Sequence, residues 1–76
     1  MYVLEIETRD QVKRIENPRK ARIVDGFYKE RLEVMDNDGK WHTIVKMWIG
    51  VTEGQIVVMK INDAIKKKSP HIFVNI

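Results

Sequence analysis

Few residues in this chain can do covalent or metal chemistry. Its only histidines are His42 and His71, and it has no cysteine, which excludes disulfides, thiolate metal sites and thiol catalysis. A histidine metal site needs carboxylates placed beside the rings. Asp36-Asn37-Asp38-Gly39 has acidic residues two apart before a glycine, as at the start of a calcium loop. The bidentate Glu that closes such a loop is missing, and Thr43-Ile44-Val45 reads on as strand. Asp38-Gly39 is better explained as a hairpin turn. The four glycines are scattered, so no phosphate-cradling loop exists. The carboxylate pairs Glu5/Glu7 and Glu30/Glu33 fall at opposite or exposed strand positions, where solvation accounts for them better than acid–base catalysis. No catalytic residue, metal or cofactor is expected.

The chemistry left is non-covalent. Lys20, Arg22, Lys29, Arg31 and Lys46 are interleaved with Phe27 and Trp48. Cations of this kind track phosphates and release counterions. Rings stack on bases, at about 1–3 kcal/mol each. Such binding requires the seven side chains to share one surface, so it depends on the elements that carry them.

Tyr2 to Glu7 alternates apolar and polar, which predicts a half-buried strand. Thr8 and Gln11 have capping-box spacing, which predicts a short helix over Arg9–Ile15, with an irregular turn as the alternative. Asn17-Pro18 ends it. Asp25-Gly26 and Asp38-Gly39 are both favoured two-residue hairpin turns. They divide residues 19–49 into Arg19–Val24, Phe27–Asn37 and Lys40–Ile49, three runs rich in β-branched and aromatic residues. These read as an antiparallel meander. Thr52 and Gln55 repeat the capping spacing, and Val57, Val58, Ile61, Ala64 and Ile65 share one arc of a helical wheel. A helix over Glu53–Lys68 is preferred to a strand over Gln55–Ile61 followed by a short helix. Lys66, Lys67 and Lys68 complement the negative end of that helix. His71–Ile76 reads as a final strand.

Tight turns fix the register by counting. Across Asp25-Gly26, Ile23 faces Tyr28, Arg22 faces Lys29 and Lys20 faces Arg31. Across Asp38-Gly39, Met35 faces His42, Val34 faces Thr43, Glu33 faces Ile44, Leu32 faces Val45 and Arg31 faces Lys46. One side of the pleat then collects Ala21, Ile23, Tyr28, Leu32, Val34, Trp41, Val45, Met47 and Ile49, a core face for the helix to cover. Glu30 also lands there, which calls for a sheet margin or a partner. The other side collects Lys20, Arg22, Lys29, Arg31 and Lys46 with Phe27, Trp48, Ile44, Met35 and His42. Glu33 is its only acid. Like charges directly opposite one another cost a few tenths of a kcal/mol per pair, and an anionic partner would offset that. Met35 and Met59, if exposed with Ile56, would instead suggest a contact patch.

The fold class expected is α+β: a small antiparallel sheet, made of a three-stranded meander plus terminal strands, packed on one amphipathic helix in a single domain over residues 1–76. A chain of 76 residues that is 43% hydrophobic is too apolar for a disordered tail. Its core is nonetheless marginal. Antiparallel strands followed by a helix introduced by Ile49-Gly50-Val51-Thr52 are similar in element order to small single-stranded-DNA-binding domains of the transcriptional positive-cofactor type. The resemblance covers residues 20–68, and it implies a sheet that binds DNA and a helix that dimerises. The strand from His71 departs from that pattern.

Lys and Arg number 14 against 11 Asp and Glu, a formal charge of +3. With five cations and one acid assigned to the outer face, the other nine cations and ten acids nearly cancel. The expected function is therefore non-enzymatic nucleic-acid binding, single-stranded DNA or RNA rather than duplex. The alternative is a virus- or plasmid-type accessory protein that binds and modulates a larger protein. A homodimer suits both, because a small core gains from a mate, and the Tyr2–Glu7 and His71–Ile76 strands offer edges. The longest apolar stretch, near Met47–Val51, falls far short of the roughly 20 residues a bilayer needs, so no membrane partner is expected. Glu5 and Glu7 near the start, with no apolar signal core, point to a cytoplasmic protein.

Overall fold

Leu4 and Ile6 are buried while Glu7 faces water, as alternation in the first strand predicts; Val3, on the same side as Glu7, is buried as well. In the computed structural model the chain runs β1 (Val3–Glu7), β2 (Val12–Glu16), β3 (Lys20–Asp25), β4 (Glu30–Met35), β5 (Trp41–Met47), α1 (Val51–Lys66) and β6 (His71–Asn75). The structure describes residues 1–25, 30–47 and 51–75. Over these described residues it is an α+β fold with two three-stranded sheets, ordered β2-β1-β6 and β3-β4-β5, and one helix packed against them. Leu4, Ile6 and Ile72 from the first sheet join Ala21, Leu32, Val34 and Ile44 from the second around Ile61 of the helix. Val57, Val58, Ala64 and Ile65, the rest of the predicted helical stripe, pack against that cluster. No helix among the described residues is long and apolar enough to cross a membrane.

The helix predicted over Arg9–Ile15 is instead a turn and a strand. The Thr8 hydroxyl accepts a hydrogen bond from the Gln11 N–H at 3.2 Å, and the Thr8 N–H donates to the Gln11 carbonyl at 2.8 Å. The capping spacing thus closes a β1–β2 hairpin. One or two turns of helix cannot recover their nucleation cost, whereas β2 sets Ile15 directly opposite Leu4. The Tyr2–Glu7 strand also offers no edge. β1 is central, antiparallel to β2 and parallel to β6, which pairs His71 with Val3 and Val74 with Ile6.

α1 settles residues 55–61 as helix. Its end is a Schellman turn: the Ser69 N–H donates to the Ala64 carbonyl and the Lys68 N–H to the Ile65 carbonyl. Lys68 takes the left-handed conformation there, with φ of 53°. The helix lies close on β3 at Gly54. Asn62, two turns on, donates its amide to the Ala21 carbonyl at 3.1 Å and accepts from the Ala21 N–H at 2.7 Å. That side chain stands in for a missing neighbour strand on the β3 edge.

Register in the second sheet departs from the prediction in two ways. β3 and β4 pair Lys20 with Met35, Ala21 with Val34, Arg22 with Glu33 and Ile23 with Leu32. Relative to a tight Asp25-Gly26 turn this is a slip of four residues, an even number, so the faces are kept. The slip sets opposite charges across from each other, where the tight turn would have opposed Arg22 to Lys29. It also matches Ile23 with Leu32, pairing apolar with apolar. Residues 26–29, including Tyr28 of the predicted core face, lie outside the described residues.

The second hairpin is not a two-residue turn either. The Asp36 N–H donates to the Lys40 carbonyl, the Gly39 N–H donates to the Asp36 carbonyl, and Gly39 has φ of 86°. This is a three-residue loop, a type I turn followed by a left-handed glycine. Asp36 Oδ1 accepts from the N–H groups of both Asp38 and Lys40 at 2.9 Å. Met35 therefore faces Trp41 and Val34 faces His42, one residue off the prediction. A bulge between Leu32 and Glu33 restores the predicted pairs Leu32–Val45 and Arg31–Lys46. Between the turn and the bulge every side chain of β5 changes face. Ile44, predicted on the basic face, is buried in the core at 3% exposure. Trp41, predicted in the core, moves outward. His42 leaves the basic face.

Candidate nucleic-acid interface

Four of the predicted site residues come together on the outer face of β3-β4-β5. Lys20 and Arg22 lie on β3, Arg31 on β4 and Lys46 on β5, with Arg31 directly opposite Lys46. Lys20, Arg22 and Lys46 are exposed and Arg31 is half-buried. Phe27, Lys29 and Trp48, with Ile49 of the predicted core face, lie outside the described residues.

The ring on the described part of this face is Trp41. The Arg22 guanidinium stacks over its indole, 3.8 Å from the ring centroid, and Lys20 Nζ is 5.5 Å from the same centroid. Cations over an indole face are attracted by its quadrupole. Arg22 is held by Glu33: Nε donates to Oε1 at 2.9 Å, and Nη2 is 2.9 Å from the same oxygen. Glu33 is only 8% exposed, and its other oxygen accepts a hydrogen bond from the Thr43 hydroxyl at 3.4 Å. The buried carboxylate, the guanidinium and the indole thus form a ladder from the sheet out to solvent. Met35 lies between Lys20 and Trp41 in the register, on the basic face as predicted.

The pairing revises the electrostatic argument. Lys20 faces Met35 and Arg22 faces Glu33, so among the described residues of this face only Arg31 and Lys46 oppose like charges. Arg31 Nε is buried with no hydrogen-bond partner among the described residues. On the core side, Glu30 Oε2 is also buried without a partner among those residues. It lies 3.5 Å from where a Cβ on Gly54 would stand, beside the first turns of α1. The positive end of a helix favours a carboxylate there.

A second polar cluster stands at the hairpin. His42 Nε2 is 2.6 Å from Asp36 Oδ2. Arg14, Glu16 and Asn17 line the shallow cleft that faces this pair. The hydrogen bond from His42, helped by the N–H of Lys40, holds the Asp36 carboxyl below its ordinary range. Among the described residues, no three His, Asp or Glu side chains are grouped to hold a metal ion.

Sequence reasoning missed Trp41 although a signal was present. Asp36 and Gly39 occupy the first and last positions of a type I turn, with the favoured residue at each. Giving Asp38-Gly39 to the two-residue alternative turned Trp41 inward on paper. No protein-family model, curated protein or solved structure matches this chain.

Proposed function

We propose that this protein is a non-enzymatic nucleic-acid-binding protein that takes a single strand of DNA or RNA on the outer face of β3-β4-β5. The observation that carries this reading is Trp41, set beside Lys20 and Arg22 on the face that also carries Lys46, with its guanidinium partner anchored from below. Indole and guanidinium planes both stack on bases whatever the sequence. The flanking lysines reach phosphates on either side. A curved single strand suits this face better than duplex, whose bases are not free to stack.

The test is titration with a short oligonucleotide at low salt, read by tryptophan emission and gel mobility. Emission should be quenched. Affinity should fall with salt at a log–log slope of about −2 if three phosphates are neutralised, at roughly −0.7 each. Trp41→Ala should weaken binding about 5- to 150-fold, the equivalent of one stacked base. Lys67→Ala, just past the end of α1 and paired with Asp63 at 2.9 Å, should leave it unchanged. Unchanged emission and mobility at low salt would remove this reading.

The second reading, an accessory module that binds and modulates a larger protein, has one observation in its favour. A groove between β3 and α1 is lined by Ala21, Ile23, Val58 and Met59, and Met59 is 68% exposed. Retention of a defined protein partner after nuclease treatment, and its loss in Met59→Asp, would favour this reading over the first.

A further inference from the structure

The two outer sheet faces carry opposite charge. On β2-β1-β6 the positions on the outer side are Val12, Arg14 and Glu16, then Val3, Glu5 and Glu7, then His71, Phe73 and Asn75, with Val3 itself buried. Three acids stand there against one arginine, and Arg14 Nε lies 3.9 Å from Glu5. Glu7 and Glu16 are exposed. Phe73 is 73% exposed and stacks on His71, with ring centroids 5.9 Å apart, and Val12 is 54% exposed. On β3-β4-β5, Lys20, Arg22, Arg31 and Lys46 oppose a single acid, Glu33, already engaged by Arg22.

We propose that the acidic outer face of β2-β1-β6 docks onto the basic outer face of β3-β4-β5 of a second copy, head to tail. Charge complementarity selects this occupant. Pairing either face with itself across a two-fold axis, as a closed homodimer on these faces requires, would set like charges against each other. The head-to-tail contact instead gives Arg31 and Lys46 counter-charges, and it covers Phe73 with cations that a ring face attracts. A heterologous contact leaves one acidic and one basic face free at the two ends, so it propagates rather than closes.

Three strands at about 4.8 Å and five residues at about 3.3 Å give a footprint near 14 by 17 Å. That falls below the size of a stable interface, about 1,200 Å² in total, so the association is weak and strongly salt-dependent. The inference stands apart from nucleic-acid binding, and its test contains no oligonucleotide.

Sedimentation of the full chain at about 0.5 mM should show an average mass above the monomer at 25 mM salt and monomer at 500 mM. Backbone amide resonances that move on dilution should map to both outer faces. Glu7→Lys/Glu16→Lys should be monomeric alone, as should Lys20→Glu/Lys46→Glu, all four positions being exposed. An equimolar mixture should regain the higher mass, since each variant offers the face the other lacks. A wild-type monomer at 0.5 mM and low salt would overturn the proposal. So would dilution shifts confined to one face, or a mixture of folded variants that stays monomeric.

Discussion

Gly54 is a close contact of α1 with β3, and the contact can be measured by a double-mutant cycle. A Cβ at position 54 would stand 2.5 Å from Ile23 Cδ1 and 3.6 Å from Ile23 Cγ1. Ordinary carbon contacts are about 3.5–4.0 Å, so an overlap of about 1 Å falls on one methyl group. Gly54→Ala would gain about 1 kcal/mol of helix propensity. Cδ1 is the free end of the half-buried Ile23 side chain and can turn aside at a cost of about 0.5–1.5 kcal/mol. Gain and cost nearly cancel, so Gly54→Ala alone should be close to neutral. Ile23→Val deletes Cδ1 alone and should cost about 0.5–1.5 kcal/mol. In that background the obstruction is gone, so Gly54→Ala should now stabilise by about 1 kcal/mol. The coupling of about 1 kcal/mol is above the deviation from additivity seen for independent sites, about 0.3–0.5 kcal/mol. Urea unfolding of the four proteins, compared at a common m-value, reads it directly. Equal effects of Gly54→Ala in both backgrounds would refute the contact between Gly54 and the Ile23 methyl.

Other substitutions probe the helix end, the strand edge and the hairpin. Lys68→Gly should stabilise by about 1 kcal/mol, because Lys68 occupies a left-handed conformation that glycine adopts freely; a lower thermal midpoint would contradict the Schellman ending. Asn62→Ala should cost about 1–3 kcal/mol by leaving both backbone groups of buried Ala21 without partners. It should also promote aggregation through the bared β3 edge, and unchanged urea midpoint and solubility would argue against that role. Asp36 has a lowered folded pKa, so its contribution is fully present above the unfolded value of about 3.9 and is lost as pH falls through the folded value. Wild type should therefore exceed Asp36→Asn in stability at pH 5–7, with the gap closing below about pH 4; a gap that persists at pH 2 would exclude this linkage.

Periodicity made much of the fold legible. The apolar arc of Val57, Val58, Ile61, Ala64 and Ile65 specified the helix, and alternation specified β1 and the outward cations of β3. Lys20 and Arg22 kept their face despite the wrong β3–β4 register because the slip was even. β5 shows why parity matters. A one-residue difference between two turns that both use Asp and Gly exchanged Trp41 with His42, and a bulge at Ile44, the fourth residue of β5, concealed the error at Lys46. Thr8–Gln11 failed for another reason. The same side-chain spacing serves a helix cap or a hairpin turn, and only tertiary pairing of Ile15 with Leu4 decides between them. The Arg22–Glu33–Trp41 ladder was beyond local pattern, since it joins three strands through a register that the sequence leaves open.

The parallel pairing of β1 with β6 bears on how the molecule responds to force. Tension applied through residues 1 and 75 would pull β1 by its first residue and β6 by its last. Parallel strands gripped at opposite ends slide along one another, so all the hydrogen bonds between Val3–Glu7 and His71–Asn75 load together. The hairpins, joined at one end, would instead open one bond at a time. The chain is thus fastened by a shear clamp between its first and last strands. Single-molecule stretching should meet its main resistance there, before any other element gives way, with a rupture force set by the unfolding barrier rather than by equilibrium stability.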